Sequence, residues 1–388
     1  MEALLLELHD VLKYEVLTFL TMADIDRWAI AMSNNSKINL FLRVLRYSHI
    51  YEEIVLTDEK VSWLESSCVQ PRRVLLRNAN SQYVLNYFSG IEGLRSIKFE
   101  CSARMSTLEI QHIFQFFPSA FEIDEVGISG TIAFDVNCIF TPLFQKVNLQ
   151  RLRRLKIARD MKGAITWLRE ALRYCSSLRE IDICNATDQI IHDLSLYCND
   201  LRSIRMTEAF QLTDRGISFM RDRLPSLESM EVSDCGKITD AGVVQFCGEG
   251  RRGLRTLKID CERPVTAISL ARIVQTTKNL RVLSLQYARI IHVSAFTALV
   301  DTCSGLITLR LPWPVVRALT NSRSLQRLVN LRDLTIDDVQ ADRSVALKLE
   351  LRSLSAQVPQ LRHLQMSVDH GHINDRVVTA LVGPGHPS

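Results

Sequence analysis

The sequence predicts an α/β solenoid with a parallel inner sheet and outer helices, preceded by a small bundle of three helices. Three observations predict it. A six-residue apolar pattern, Leu-x-x-Leu-x-Leu, recurs eleven times between Leu94 and Met366. Its copies begin between 23 and 30 residues apart. The first 48 residues lack the pattern and follow a helical rhythm instead.

Taken in order, residues 1–48 hold three short helical stretches. Val11, Leu12, Val16, Phe19 and Leu20 share one helical face. Thr21-Met22-Ala23-Asp24 opens a second helix as a capping box, with Ile25, Trp28, Ala29 and Met32 on one side. Residues 36–46 supply a third. So short a bundle has little core of its own and needs a neighbour or a partner to lean on.

Residues 49–93 read as a linking segment with degenerate first repeats, of which Pro71/Val74/Leu76 is the clearest. Residues 94–382 are the repeat array. In each copy the last two apolar residues alternate with polar ones, as in a half-buried strand. The remainder of the repeat has helical periodicity. In Ile238-Thr239-Asp240-Ala241-Gly242-Val243, either Thr239 or Asp240 can cap the first turn. Thr213-Asp214, Thr187-Asp188 and Asn374-Asp375 are similar starts. One strand and one helix cannot bury their own apolar faces, but stacked copies form a continuous core. Strands pair about 4.8 Å apart while helices need about 10 Å, so the strands line the inside of a horseshoe or arc. Residues 383–388, Gly-Pro-Gly-His-Pro-Ser, are a flexible tail.

Composition narrows the class. The chain has 388 residues, 47% apolar and 23% charged, which excludes a disordered polymer. A net charge of +4 is too small to imply nucleic acid by itself. No apolar run reaches the length of about 18 residues that a membrane span needs. Glu2, Glu7 and Asp10 interrupt the apolar N-terminus, so no secretory signal is expected. The ten cysteines form no Cys-x-x-Cys pair and read as reduced thiols of a cytoplasmic or nuclear protein. The His370-Gly371-His372 turn lacks a third ligand, so neither metal nor cofactor is expected. No nucleophile motif, phosphate-binding loop or dinucleotide fingerprint appears, and the chain is not expected to be an enzyme.

Repeats of about 26 residues reading Leu-x-x-Leu-x-Leu-x-x-Cys-x-x-Ile-Thr-Asp resemble the cysteine-containing leucine-rich repeats. That resemblance implies a right-handed solenoid. Cys235 matches the family cysteine, and Ala186, Ala209 and Ala288 stand at the same place in other copies. Cys175, Cys198 and Cys303 each lie three residues before a repeat's first leucine, where a small buried thiol fits a tight corner.

The N-terminal segment resembles the F-box motif. Leu8, Leu12, Phe19-Leu20, Asp24-Ile25, Arg27 and Ala29 match it without a gap. His9 stands where the family has proline, and Met32 and Asn35 where it has a Cys-x-x-Trp. An F-box followed by such repeats implies the substrate receptor of an SCF-type cullin–RING ubiquitin ligase, in ubiquitin-dependent protein degradation. Leu8, Leu12, Val16, Phe19, Leu20 and Ile25 would then bind the adaptor subunit. The alternative is a non-ligase leucine-rich-repeat scaffold with a degenerate F-box.

The target would meet the concave face. The third and fifth residues of each copy, and the one after its final leucine, point away from the core, and they mix both signs of charge. That mixture suits a protein partner better than a nucleic acid. Arg154, Lys156, Arg205, Glu231, Lys258 and Arg310 are the candidates. Trp313, between Pro312 and Pro314, is held near the rim by a stiff turn that the prolines keep out of the ladder. There it anchors a partner if it faces out, or packs on the next repeat if it turns in. Arginine fills the second place in eight of eleven copies, which reads as repeat grammar, with the stems covering the edge of the core.

Overall fold

Leu227, Met230 and Val232 are all at most 2% exposed, while Ser229 and Glu231 between them stay partly open to solvent. The alternation expected of a half-buried strand is therefore present where the pattern is clearest. The structure, a computed structural model, describes residue 27 and residues 49–368 apart from 68–69, 78–80, 102–105, 117–122, 131–146, 158–163, 249–252, 261–265, 286–292 and 340–344. The expected three-helix bundle and the tail lie outside these residues. The chain divides into two compact units, Met1–Leu178 and Arg179–Ser388.

In the first unit the strands are β1 (His49–Val55), β2 (Gln70–Arg77), β3 (Ser96–Cys101), β4 (Glu125–Gly130) and β5 (Arg154–Ile157). Each pairs in parallel with the next in chain order. The register sets Val74 beside Ile97, Val126 and Leu155, so one place of the repeat forms one apolar line. Helices α1 (Asp58–Ser67), α2 (Gln82–Ser89), α3 (Thr107–Gln115) and α4 (Ala164–Leu172) connect the strands. Glu109 accepts from the backbone N–H and the hydroxyl of Ser106 at 2.7 and 2.9 Å, a capping box at the start of α3. Strand β1 was not anticipated; its Ile54 and the following Leu56 are buried like their counterparts in later repeats.

The second unit repeats the plan with β6 (Glu180–Cys184), β7 (Ser203–Thr207), β8 (Ser229–Ser233), β9 (Thr256–Asp260), β10 (Val282–Ser284), β11 (Thr308–Pro312), β12 (Asp333–Val339) and β13 (His363–Val368). All seven pairings are parallel and follow chain order. Ile181, Ile204, Met230, Leu257, Leu283, Leu309, Leu334 and Leu364 stand in one line across them. Every one of the eleven copies of the pattern thus contributes a strand. The helices are α5 (Asp188–Tyr197), α6 (Asp214–Arg223), α7 (Asp240–Phe246), α8 (Ala267–Thr276), α9 (Val293–Thr302), α10 (Trp313–Asn321) and α11 (Val345–Gln357).

Two local devices shape the repeats of this unit. Asn185, Glu208 and Asp234 follow β6, β7 and β8 with φ of 56°, 51° and 55°, so each strand leaves the sheet through a left-handed residue. The next residue is Ala186, Ala209 or Cys235, each fully buried, as the tight corner requires. Threonines 187, 213, 239 and 266 then cap α5 to α8 by accepting a first-turn N–H. Of the two residues expected to cap, threonine is therefore the one that does so.

Cys175, Cys198, Cys247 and Cys303 are buried free thiols, and Cys184 is a partly exposed one. Cys235 departs from the expected reduced state: it is disulfide-bonded. At its corner Asp234 N donates to the Asp260 carbonyl at 3.0 Å, and the Cys235 sulfur lies 4.0 Å from the same oxygen.

Pro312 also departs from expectation. It is the last residue of β11 and pairs in register with Asp337. The strand runs directly into α10, with Pro314 in the first turn, where a missing N–H costs nothing. Trp313 is therefore not held in an exposed turn; it opens α10 and is 8% exposed.

Candidate protein-binding surface

Strand pleating puts the third and fifth residues of each copy on the face opposite the apolar lines. Register then decides which charges meet. In the first unit Glu125 is the hub: Arg73 reaches it at 2.8 Å, Arg154 at 3.1 Å and Lys98 at 3.8 Å. Lys98 also pairs with Glu53. Lys156 is exposed on the same face of β5.

In the second unit Arg205, Glu231 and Lys258 come together from three successive strands. Arg205 NH2 lies 2.7 Å from Glu231 Oε2, and Lys258 Nζ lies 3.2 Å from Glu231 Oε1. Further along, Arg310 grips Asp337 through two parallel bonds, Nε to Oδ2 at 2.8 Å and NH2 to Oδ1 at 3.0 Å. Asp260 lies 3.8 Å from Arg310 and accepts from the Ser284 hydroxyl at 3.0 Å. The Asp337 side chain is only 4% exposed.

Arg205, Glu231 and Lys258 thus form one cluster and Arg310 another, both in the second unit; Arg154 and Lys156 belong to the first. Trp313 is buried and not part of this surface. Leu8, Leu12, Val16, Phe19, Leu20 and Ile25 lie outside the described residues. The acids that complete the clusters, Glu125, Asp260 and Asp337, fall at places the sequence assigns to this face, but their pairing was not readable, because it depends on register between strands 25 to 30 residues apart.

The surface is polar, laterally paired and carried on rigid strands. It offers donors and acceptors in fixed places, which suits recognition of another protein's surface. No group of three or more histidine, cysteine or acidic side chains able to hold a metal occurs among the described residues. No helix among them is long and apolar enough to cross a membrane.

Parallel strands in chain order, helices joining most of the described strands and an apolar line across them define the fold as an α/β leucine-rich-repeat solenoid. No family model matches the sequence, and no curated protein matches it. Among solved structures, the chain is similar to one in the crystal structure of the Rad7 and Elc1 complex in yeast. The identity is 18%, the TM-score 0.57, and the match covers 88% of each chain. A second match is the leucine-rich repeat-containing protein LegL7 from Legionella pneumophila, with 11% identity and a TM-score of 0.39, covering 81% of this chain and 99% of that one. At such identities the likeness to the yeast structure concerns the fold alone.

Proposed function

We propose that this chain is a substrate-recognition subunit of an SCF-type ubiquitin ligase, in the cytoplasm, the nucleus or both. Residues 1–48 dock on the adaptor through Leu8, Leu12, Val16, Phe19, Leu20 and Ile25. The repeats hold the target protein through the polar strand faces of the two units, Arg154 and Lys156 in the first and Arg205, Glu231, Lys258 and Arg310 in the second. The chain makes and breaks no bonds. It raises the local concentration of target lysines near the charged enzyme.

The observation that carries this reading is one of order along the chain: an F-box-like segment followed directly by leucine-rich repeats. The similar yeast chain comes from a complex with a second protein, which accords with a repeat solenoid working beside a partner.

The test is co-purification of the full chain with the purified adaptor, beside Leu12→Asp and Phe19→Asp. The expected result is retention of adaptor by the wild type and its loss from both variants, with the circular dichroism of the repeats unchanged. Absence of adaptor from the wild-type eluate overturns the reading and leaves a non-ligase scaffold.

A further inference from the structure

The second place of each repeat carries a different kind of surface. In the second unit, backbone N–H groups of Arg202, Glu228, Arg255, Arg281, Ile307, Arg332 and Arg362 each donate to the residue at the same place one repeat earlier, beginning at Arg179. Eight side chains therefore leave the sheet in a single row, one rung or about 4.8 Å apart. Six of the eight are arginines, and all six are exposed.

Midway along the row a cavity of about 530 Å³ opens between Arg202, Glu228, Arg255 and Arg281. Gly253 forms part of its lining, and a side chain there would meet nothing within 4 Å. Glu228 is shared between two arginines at long range, 3.5 Å from Arg202 and 3.7 Å from Arg255. Charge-assisted bonds are normally about 2.7–2.9 Å. Arg281 is held in place by donating to the Gly305 carbonyl at 2.8 Å. Three guanidinium groups thus face one carboxylate, leaving a surplus of positive charge. On the sheet face, by contrast, Arg205 and Arg310 each have a carboxylate within 2.8 Å.

We propose that this row is a docking site for an extended, acidic peptide segment of a partner protein. Its carboxylates pair with Arg202, Arg255 and Arg281 as guanidinium–carboxylate forks. Three rungs span about 14 Å, the reach of four or five extended residues. Glu228 selects a peptide over a nucleic acid. A peptide can set a neutral side chain opposite Glu228, whereas a strand of phosphates must carry negative charge past it. The site is distinct from the F-box-like segment and does not depend on adaptor binding.

The test is fluorescence anisotropy with the full chain and a labelled peptide of about ten residues alternating Glu with Ala. Three comparisons accompany it: the same peptide with Gln for Glu, an oligothymidylate of similar length, and a charge-matched double variant, R215E/R352E, altered on the exposed sides of α6 and α11 rather than in the row. The proposal expects the acidic peptide to bind and the Gln peptide not to. Replacing Arg255 and Arg281 by Glu together should weaken binding about tenfold or more, while R215E/R352E changes it less than about twofold. Glu228→Gln should strengthen binding about threefold, a gain that damage to the fold cannot produce. Equal losses from the two double variants, or no gain from Glu228→Gln, would overturn the proposal. Oligothymidylate binding as tightly through the same arginines would overturn it in favour of a nucleic-acid surface.

Discussion

Asp214, at the first position of α6, accepts two hydrogen bonds from Thr239, the cap of α7: from the backbone N–H at 2.8 Å and from the hydroxyl at 2.5 Å. Thr239 in turn accepts from Ala241 N at 3.2 Å. The same relation links Asp188 to Thr213 one repeat earlier and Asp240 to Thr266 one repeat later. Each Thr-Asp pair therefore does two jobs: threonine starts its own helix, and aspartate fixes the start of the next. The stack gains a polar chain of contacts running alongside its apolar lines.

Asp214→Ala removes the acceptor and strands the Thr239 N–H at a partly buried helix start. A lost acceptor of this kind costs about 2 kcal/mol. The negative charge near the positive end of α6 goes as well. The urea midpoint should fall accordingly, while an exposed aspartate such as Asp222, already flanked by Arg221 at 2.6 Å, should change it little when replaced.

Gly242, in α7, sits against this link. A Cβ there would collide with the Asp214 carboxylate. Alanine is ordinarily better than glycine inside a helix by about 1 kcal/mol. Here Gly242→Ala should destabilise instead, because the carboxylate must swing away from Thr239. In the Asp214→Ala background the obstacle is gone, and the same substitution should become neutral or stabilising. A double-mutant cycle in urea reads that change of sign; additive effects would show that the carboxylate does not set the spacing of α6 and α7.

How legible each feature was in the sequence depends on how far apart its residues lie. The strands were readable because each needs only three apolar residues at fixed spacing, and every copy from Leu94 to Leu361 begins a strand-bearing repeat. Strand β1 was missed because Tyr51 stands where the pattern wants a leading leucine; only Ile54 and Leu56 keep their places. The Thr-Asp starts were visible, but not that Asp188, Asp214 and Asp240 serve the following repeat, since that contact spans 25 or 26 residues. Trp313 between two prolines looks like a loop, but it opens α10, and Pro314 sits in the first turn, where a helix tolerates proline. Cys235 looks like any small corner residue, and nothing in its spacing signals a bond to another sulfur.

Arg310 invites a sharper test, because its place on the open face suggests target binding while its contacts suggest structure. Asp337 is 4% exposed in its side chain, and Arg310 at 34% holds both of its oxygens. Removing Arg310 leaves the buried Asp337 carboxylate uncompensated, at a cost of about 2 kcal/mol once the exposure of Arg310 is allowed for. Arg310→Ala should therefore lower the denaturation midpoint of the isolated protein. Adding Asp337→Asn should recover part of the loss, since the amide carries no charge to bury. If Arg310→Ala unfolds at the wild-type midpoint, the residue is held for a partner rather than for the fold.

The free thiols should separate by depth when the native protein meets iodoacetamide. Burial pushes the Cys175 thiol up to about 12 and the Cys303 thiol up to about 11. Against an ordinary value of about 8.5, their thiolate fractions at pH 8 are on the order of one in ten thousand and one in a thousand. Their sulfurs are also occupied, donating to the Ala171 carbonyl at 3.3 Å and the Thr277 carbonyl at 3.6 Å. Cys184 is partly exposed and also raised, first by burial and then by its bond to Glu208 at 3.1 Å. Mass spectrometry after a short exposure should find Cys184 modified first, with Cys175 and Cys303 protected until denaturant is added. The buried thiols also link stability to pH. A folded value above the unfolded one favours the native state in full below about pH 8.5, and that contribution is lost as pH rises towards 11 and 12. Alkylation of Cys175 and Cys303 should therefore accelerate more steeply with pH than that of Cys184, because their release requires opening of the helix ends that bury them.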